Sequence, residues 1–454
     1  MQRRLTFAAA SLLAFALVLS GTPVLAAPRV LTFDEAVQIA LDQNLSLLLA
    51  DNQRDLDAAA VTAARGRFLP DLRLNLSASE SFDKVDDGAG GRDWVSGRSA
   101  SAGLSSSVTL FDGLGNVADL RTAKFEQVAG ELSYLRARQT VVFQVISDYL
   151  ALIEATEQES VRRENLAAEE EQIERVRALV EEGERPINEL FQQEANVAAA
   201  RVALVEARRN LELSRVDLVQ TLHLDPLAEI HFAIPPPAAL GAPATPDAGH
   251  DRSFPALAGT ARSERADLAA VEARLDASSA RLDAARATRW PTLSLSAGLS
   301  GRYADDLHGG LFDQLNDRQS AGVTLGLSFP IFDGLQRRST IRRAAISREN
   351  AEIALEGLRQ DVSLQVRRAV LDRDAARESL EAATARVAAA REAYTYTNER
   401  YLAGASTLFE VSLARRDLVS AESGEVSAHY TLLWQNRLID YYVGTLDPDA
   451  GLGH

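Results

Sequence analysis

The sequence predicts a mixed α and β protein made of one structural unit used twice, each copy holding two strands and a long α-helical hairpin. Three observations lead there. A set of anchors recurs at a fixed offset of 221 residues: Leu69-Pro70 is answered by Trp290-Pro291, Phe111-Asp112-Gly113-Leu114 by Phe332-Asp333-Gly334-Leu335, and Gly183 with Glu189 by Gly404 with Glu410. After each proline the hydrophobic period changes from helical to two. After each Phe-Asp-Gly-Leu a helical pattern runs to about 100 Å at ~1.5 Å per residue, far longer than an ordinary globular domain holds.

The N-terminus comes first. Arg3 and Arg4 precede an apolar stretch from Leu5 to Leu19, and Val24-Leu25-Ala26 supplies small residues for cleavage. Residues 1–26 are therefore expected to be a signal peptide, with the mature chain beginning at Ala27. No later stretch approaches the ~20 apolar residues of a spanning helix. The sequence contains no cysteine, which removes disulfides, thiolate metal sites and lipid attachment at the mature N-terminus. The formal charge is −16, or −18 once Arg3 and Arg4 are removed, so a nucleic-acid partner is disfavoured. Such a charge fits plain solubility or a negative field inside a cavity.

The first unit, residues 27–225, opens with a helix over Phe33–Gly66, capped by Thr32 or Asp34 with Glu35 in its first turn. Pro70 breaks it. Leu72, Leu74, Leu76 and Ala78 then alternate with Arg73, Asn75, Ser77 and Ser79, the pattern of a strand, and its partner runs from about Ala102 to Phe111. The second unit, 259–448, repeats the order: a helix over Gly259–Thr288, a break at Pro291, a strand through Leu293, Leu295, Ala297 and Leu299, and a return through Val323, Leu325, Leu327 and Phe329. Polar segments from Asp83 to Ser101 and Ala304 to Ser320 read as loops. Strands of about ten alternating residues suit either a membrane β-barrel or a small soluble sheet with one buried face. Four strands cannot close a membrane barrel, which needs about eight. If they enter lipid, several chains must share the barrel.

The longest helices span Gly115–Glu182 and Gln336–Ala403, and returning helices follow from Pro186 to His223 and from Thr407 to Val443. Ala376, Leu380, Ala383, Val387, Ala390, Tyr394, Thr397 and Tyr401 are spaced alternately four and three apart, a heptad seam whose alanines permit close packing. Gly183 and Gly404 sit where C-terminal caps belong. Between the units, residues 226–258 hold Pro235-Pro236-Pro237 and read as an extended strap, and 449–454 form a short tail. The six histidines show no metal-site pairing, and neither a phosphate loop nor a nucleophile elbow occurs, so no catalytic group, metal or cofactor is expected.

Leu327-Ser328-Phe329-Pro330-Ile331-Phe332-Asp333-Gly334, and Tyr401-Leu402-Ala403-Gly404 followed by Glu410-Val411, resemble the strand-to-helix turn and hairpin tip of the TolC-like outer-membrane efflux protein family, over essentially the whole mature chain. The resemblance implies a homotrimer whose shared twelve-stranded β-barrel sits in outer-membrane lipid and continues as an α-helical periplasmic barrel. It implies a passive exit duct for efflux or type I secretion, with a periplasmic adaptor protein and an inner-membrane pump of RND, ABC or MFS type as partners. The turns are then Phe111, Asp112 and Gly113 with Phe332, Asp333 and Gly334. The periplasmic tip is Gly183, Glu189, Tyr401, Gly404 and Glu410, with Tyr401 helping to hold it shut. Ser406 stands where some relatives have an arginine of the closing network, and Leu413 where some have a second acid. Packing at the end of the heptad seam is the alternative role for Tyr401, and a solvated helix charge the alternative for Glu189 and Glu410. In a trimer these make six carboxylates, which would repel one another and attract cations. A non-conducting periplasmic coiled-coil scaffold is the alternative to the duct as a whole.

Overall fold

The structure is a computed structural model, describing residues 29–86, 92–227, 230–233, 253–305 and 310–447. The expected signal peptide, most of the strap and the tail at 449–454 lie outside the described residues. In chain order the elements are β1 (Arg29–Leu31), α1 (Phe33–Gln43), α2 (Leu45–Gly66), β2 (Arg73–Asp86), β3 (Arg92–Phe111), α3 (Gly115–Glu181) and α4 (Ile187–Thr221). There follow β4 (Ile230–Phe232), α5 (Phe254–Glu264), α6 (Ala266–Ala287), β5 (Thr292–Ala304), α7 (Leu311–Asp317), β6 (Gln319–Ser328), α8 (Gln336–Leu402) and α9 (Leu408–Val443).

The offset of 221 that the sequence anchors share governs the whole fold. Helices α1, α2 and α3 begin and end 221 residues before α5, α6 and α8, and α3 and α8 each hold 67 residues. The cores repeat as well. Ala36, Ala40, Leu47, Val141, Val145, Tyr149, Leu218 and Leu222 are buried in the first unit, and Leu257, Ala261, Leu268, Val362, Val366, Val370, Ile439 and Val443 take the matching places in the second. Each cluster joins the middle of a long helix to the end of its returning partner. Every residue of the heptad seam is buried or half-buried, Ala376, Val387 and Tyr401 being buried, as close helix pairing requires.

Three expectations are corrected. The opening helix of each unit is two helices, broken at Asn44 and Arg265, which adopt extended backbone between them. Neither residue is a helix breaker by type; each ties its turn to the end of the returning helix. Asn44 caps α2 and donates Nδ2 to the Thr221 carbonyl at 3.4 Å, while Arg265 Nη1 donates to the Tyr442 carbonyl at 3.2 Å, 221 positions on. The segments expected as loops are largely ordered: β2 runs to Asp86, β3 starts at Arg92, and α7 fills the second. Gln314 of α7 holds the end of β5 by exchanging two 3.1 Å hydrogen bonds with the Ala304 backbone. Lastly, the helix after the strap begins earlier than expected, α5 starting at Phe254, and within the strap the short strand β4 pairs in parallel with β1. Tyr149 Oη donates to the Ala233 carbonyl at 2.5 Å, beneath edge-to-face contacts with Phe33 and Phe232.

The four longer strands form one antiparallel sheet in the order β2-β3-β5-β6. Register fixes its two faces, since paired residues point the same way. One face carries Leu74 opposite Leu104 opposite Leu299 opposite Ala321, and Val108 opposite Leu295 opposite Leu325. The other carries serines, with Ser77 and Ser101, and Ser79 and Ser99, hydrogen-bonded at 2.8 Å. Leu72, Leu76, Val323 and Leu327 are each at least 70% exposed in the single chain, so none of the described residues covers the apolar face. The Glu80–Arg98 ion pair at 3.0 Å closes this band at its outer end. No helix among the described residues is long and apolar enough to cross a membrane, and the apolar sheet face is the surface suited to lipid.

Arg265 is 4% exposed, pairs with Asp267 at 2.6 Å and donates to Gln365 at 2.8 Å, so it is the polar pin between the units' second core and α9. Arg265→Ala leaves Asp267 short of its partner and a carbonyl unpaired. It is expected to cost about 3 kcal/mol, read as loss of thermal or denaturant stability of the helical signal; an unchanged midpoint would contradict this.

Candidate functional site

Two places gather the residues singled out from the sequence: the strand-to-helix turns and the hairpin tips. At the turns, Gly113 and Leu114 both adopt left-handed backbone (φ 71° and 68°), as do Gly334 and Leu335 (63° and 70°). This double left-handed step swings an outgoing strand into a helix axis. Asp112 then caps α3 by accepting from the Asn116 amide at 2.7 Å, and Asp333 caps α8 by accepting from the Arg337 amide at 3.0 Å and its Nε at 2.8 Å. Phe111 and Phe332 are 40% and 81% exposed. The two turns differ in surroundings. A Cβ on Gly113 would lie 2.5 Å from the Ala287 carbonyl and 2.7 Å from Trp290 Cβ, whereas around Gly334 there is open space within the chain.

At the tips, Gly183 (φ 77°) and Gly404 (φ 74°) end α3 and α8. Glu184 donates its amide to the Leu179 carbonyl at 2.9 Å and Ala405 to Arg400 at 2.8 Å, the closing bonds of a left-handed helix stop. Nothing crowds either glycine, so backbone conformation alone requires it. Val176, Tyr401, Leu408 and Val411 form a small buried cluster joining the two hairpins.

Tyr401, 1% exposed, donates Oη to Glu189 Oε2 at 2.9 Å across that cluster. Arg185 completes the group: its guanidinium lies 4.4 Å from the centre of the Tyr401 ring, donates to the Tyr401 carbonyl at 2.9 Å and sits 3.9 Å from Glu189. Two turns along α4, Asn196 donates to Ser412 at 2.9 Å, and Arg415 donates to Asn165 at 3.1 Å, further links between the hairpins. Packing and polar contact therefore coexist at Tyr401. Burial, reinforced by the Glu189 carboxylate, pushes its phenol up to about 12.

Glu189 and Glu410, equivalent in the repeat, have different surroundings. Glu410 folds back on α9, accepting from Ser406 Oγ and from the Thr407 amide at 3.4 Å in a capping box. The Ser406 bond and the Thr407 amide hold its carboxyl below the usual range. Arg185 was not singled out from the sequence, yet it occupies the repeat position of Ser406, where some relatives carry their arginine. Aligning the two tips residue by residue exposes that exchange.

The outer membrane efflux protein profile matches residues 36–222 and 257–444, one stretch in each unit. The chain belongs to the outer membrane efflux protein family. Its similarity extends to protein CyaE of Bordetella pertussis (28% identity, over 86% of this chain and 79% of that one) and to the pyoverdine export outer membrane protein OpmQ of Pseudomonas aeruginosa (29%, over 87% and 81%). A membrane protein of solved structure from Pseudomonas aeruginosa has the same fold, with a TM-score of 0.78 at 23% identity over 91% of this chain and 92% of that one. This efflux protein resides in the outer membrane, which displaces the reading as a periplasmic scaffold and gives the uncovered apolar sheet its solvent.

Tyr401→Phe removes the phenol and leaves Glu189 with Arg185 alone. A loss of about 1–3 kcal/mol locally is expected, and with it at least a fivefold rise in amide hydrogen exchange at residues 183–190. Because the folded phenol is raised from 10 to about 12, its contribution is fully present below pH 10 and lost as pH rises through about 12. Unaltered exchange in the variant, or loss of protection already at pH 8, would count against this assignment.

Proposed function

We propose that three copies of this chain close a twelve-stranded barrel and form a passive, water-filled exit duct for substrates delivered by an inner-membrane pump through a periplasmic adaptor. The observation that carries the reading is the four-stranded sheet, apolar on one face and serine-lined on the other, whose edges β2 and β6 have no further strand beside them among the described residues. In lipid such edges must find partners, and the second copy is the partner that the repeat itself supplies.

The duplication specifies how the copies meet. Within the chain, β3 pairs with β5 so that Leu104 faces Leu299. Moved by one repeat, the same pairing joins β6 of one chain to β2 of the next, with Leu325 facing Ala78. The open space at Gly334 is then the place where the neighbour's Gly66 to Leu69 segment takes the role that Ala287 and Trp290 play at Gly113. The tip residues Gly183, Glu189, Tyr401, Gly404 and Glu410 make the periplasmic closure, with Arg185 supplying the cation from the first hairpin. In this reading the Tyr401–Glu189 clasp binds the two hairpins of one protomer, and opening the duct requires its rupture. The chain's export work resembles that named for OpmQ, and the pump, of RND, ABC or MFS type, sets the cargo.

With no native cysteine to interfere, Ala78→Cys combined with Leu325→Cys is expected to give a covalent trimer on mild oxidation, since facing antiparallel residues lie about 4.5–5.5 Å apart, within disulfide reach. Monomer after oxidation of membrane-inserted protein would refute the shared register. In planar bilayers, Tyr401→Phe with Glu189→Gln is expected to raise single-channel conductance several-fold over the native protein; equal conductance would remove the clasp from the closure.

A further inference from the structure

At the level where β5 and β6 meet the helices, on the outward face that carries Leu327, lies a recess of about 660 Å³ lined by Arg286, Arg289, Trp290, Pro291, Leu327 and Phe329. Its floor is apolar and continuous with the sheet face that meets lipid. Its rim is cationic. Arg286 makes one exposed ion pair with Asp283 at 3.2 Å, and the Arg289 side chain has no partner among the described residues. Helix α8 adds to that charge. Antiparallel pairing of α6 and α8, marked by Arg348 Nε to Ser279 Oγ at 3.3 Å and Arg359 to Glu272 at 2.7 Å, brings Arg342 level with Arg286 and Arg338 level with Arg289. Arg338 and Arg342 also have no side-chain partner among the described residues. Two turn carboxylates lie near this level among the described residues: Asp333 is taken by Arg337 at 2.8 Å, and Asp112, whose turn packs on Ala287 and Trp290, accepts from the Asn116 amide at 2.7 Å.

A chain of net charge −16 thus concentrates uncompensated guanidinium groups at one height of its surface. The first unit does so less. At the matching positions it has Arg65, Phe68, Leu69, Pro70, Ser106 and Val108; Val117 stands in place of Arg338, while Arg121 matches Arg342, so the first unit keeps two of the four arginines. The two copies thus share a scaffold and differ at this spot, where the second has Arg289, Trp290 and Phe329 and the first has Phe68, Leu69 and Val108.

We infer that this recess binds an anionic phospholipid of the periplasmic leaflet, one per chain, with the headgroup phosphate on Arg286 and Arg289 and an acyl chain across Leu327 and Phe329. Guanidinium forks fit phosphate oxygens in pairs, and Trp290 belongs at the headgroup level where a ring has one apolar and one wet side. The helices leave the sheet at this end, so the leaflet is the inner one. The inference rests on the outer-membrane location and is independent of the tip.

The test is native mass spectrometry of the detergent-extracted, delipidated protein titrated with dioleoyl phosphatidylglycerol or dioleoyl phosphatidylcholine. One phosphatidylglycerol per chain is expected to bind at least tenfold more tightly than phosphatidylcholine. Arg286→Gln with Arg289→Gln should abolish that preference, and Arg65→Gln, at the matching place in the first unit, should leave it intact. Arg289→Gln alone, at an exposed helix end, should weaken it if the double variant fails to assemble. Equal binding of the two lipids, an unchanged preference in both Arg289 variants, an equal loss in Arg65→Gln, or displacement by millimolar inorganic phosphate would overturn the inference. Assembled protein with none of this selectivity would refute the lipid site and leave the duct reading untouched.

Discussion

A backbone hydrogen bond left unmade in lipid has no water to satisfy it, and the rest of this architecture answers that constraint. Four strands with an uncovered apolar face and two free edges are unstable alone in a membrane. Leu72 just before β2, Leu74 and Leu76 on it, and Val323, Leu325 and Leu327 on β6 all stand exposed in the single chain. Association with further copies in the membrane, as proposed above, would satisfy both edges. The helices inherit their geometry from the strands: each strand continues into or out of a helix through a left-handed turn or a proline, so the helical wall has the same order as the sheet.

Duplication supplies symmetry, and the departures from it indicate where the units do different work. Helix limits and core positions repeat every 221 residues, down to the kinks at Asn44 and Arg265. At the tip, Arg185 in one copy takes the position of Ser406 in the other, and Glu189 reaches across to Tyr401 while Glu410 caps its own helix. At the turns, Gly113 is enclosed by Ala287 and Trp290 while Gly334 faces open space. In the core, Tyr149 bonds to the strap where Val370 has nothing to bond to. A trimer of such chains has six similar units in two alternating kinds.

Much of this was legible in the sequence because the signals are periodic and long. The long helices end within a residue of the expected positions, since glycine and proline punctuate them. The strands were under-read at their outer ends because apolar alternation stops near Ala78 and Ala102, beyond which Glu80 with Arg98 and Lys84 opposite Trp94 carry the pairing. The kink at Asn44 carries a local signal, since its side chain caps α2 by accepting from the Ser46 and Leu47 amides, whereas Arg265 makes no side-chain cap and acts through its tertiary contact to Tyr442. The three-residue pairing of β1 with β4 is too short to leave a pattern. At the tip, the sequence supplied Tyr401 and Glu189 separately, and only the fold shows them bonded and finds Arg185 between them.

The central claim is that the sheet is shared between three chains. The native mass of protein extracted from outer membranes in mild detergent, corrected for bound detergent, tests it most directly. The account predicts about three times the mass of the mature chain. A stable monomer, and above all one soluble without detergent, would contradict it.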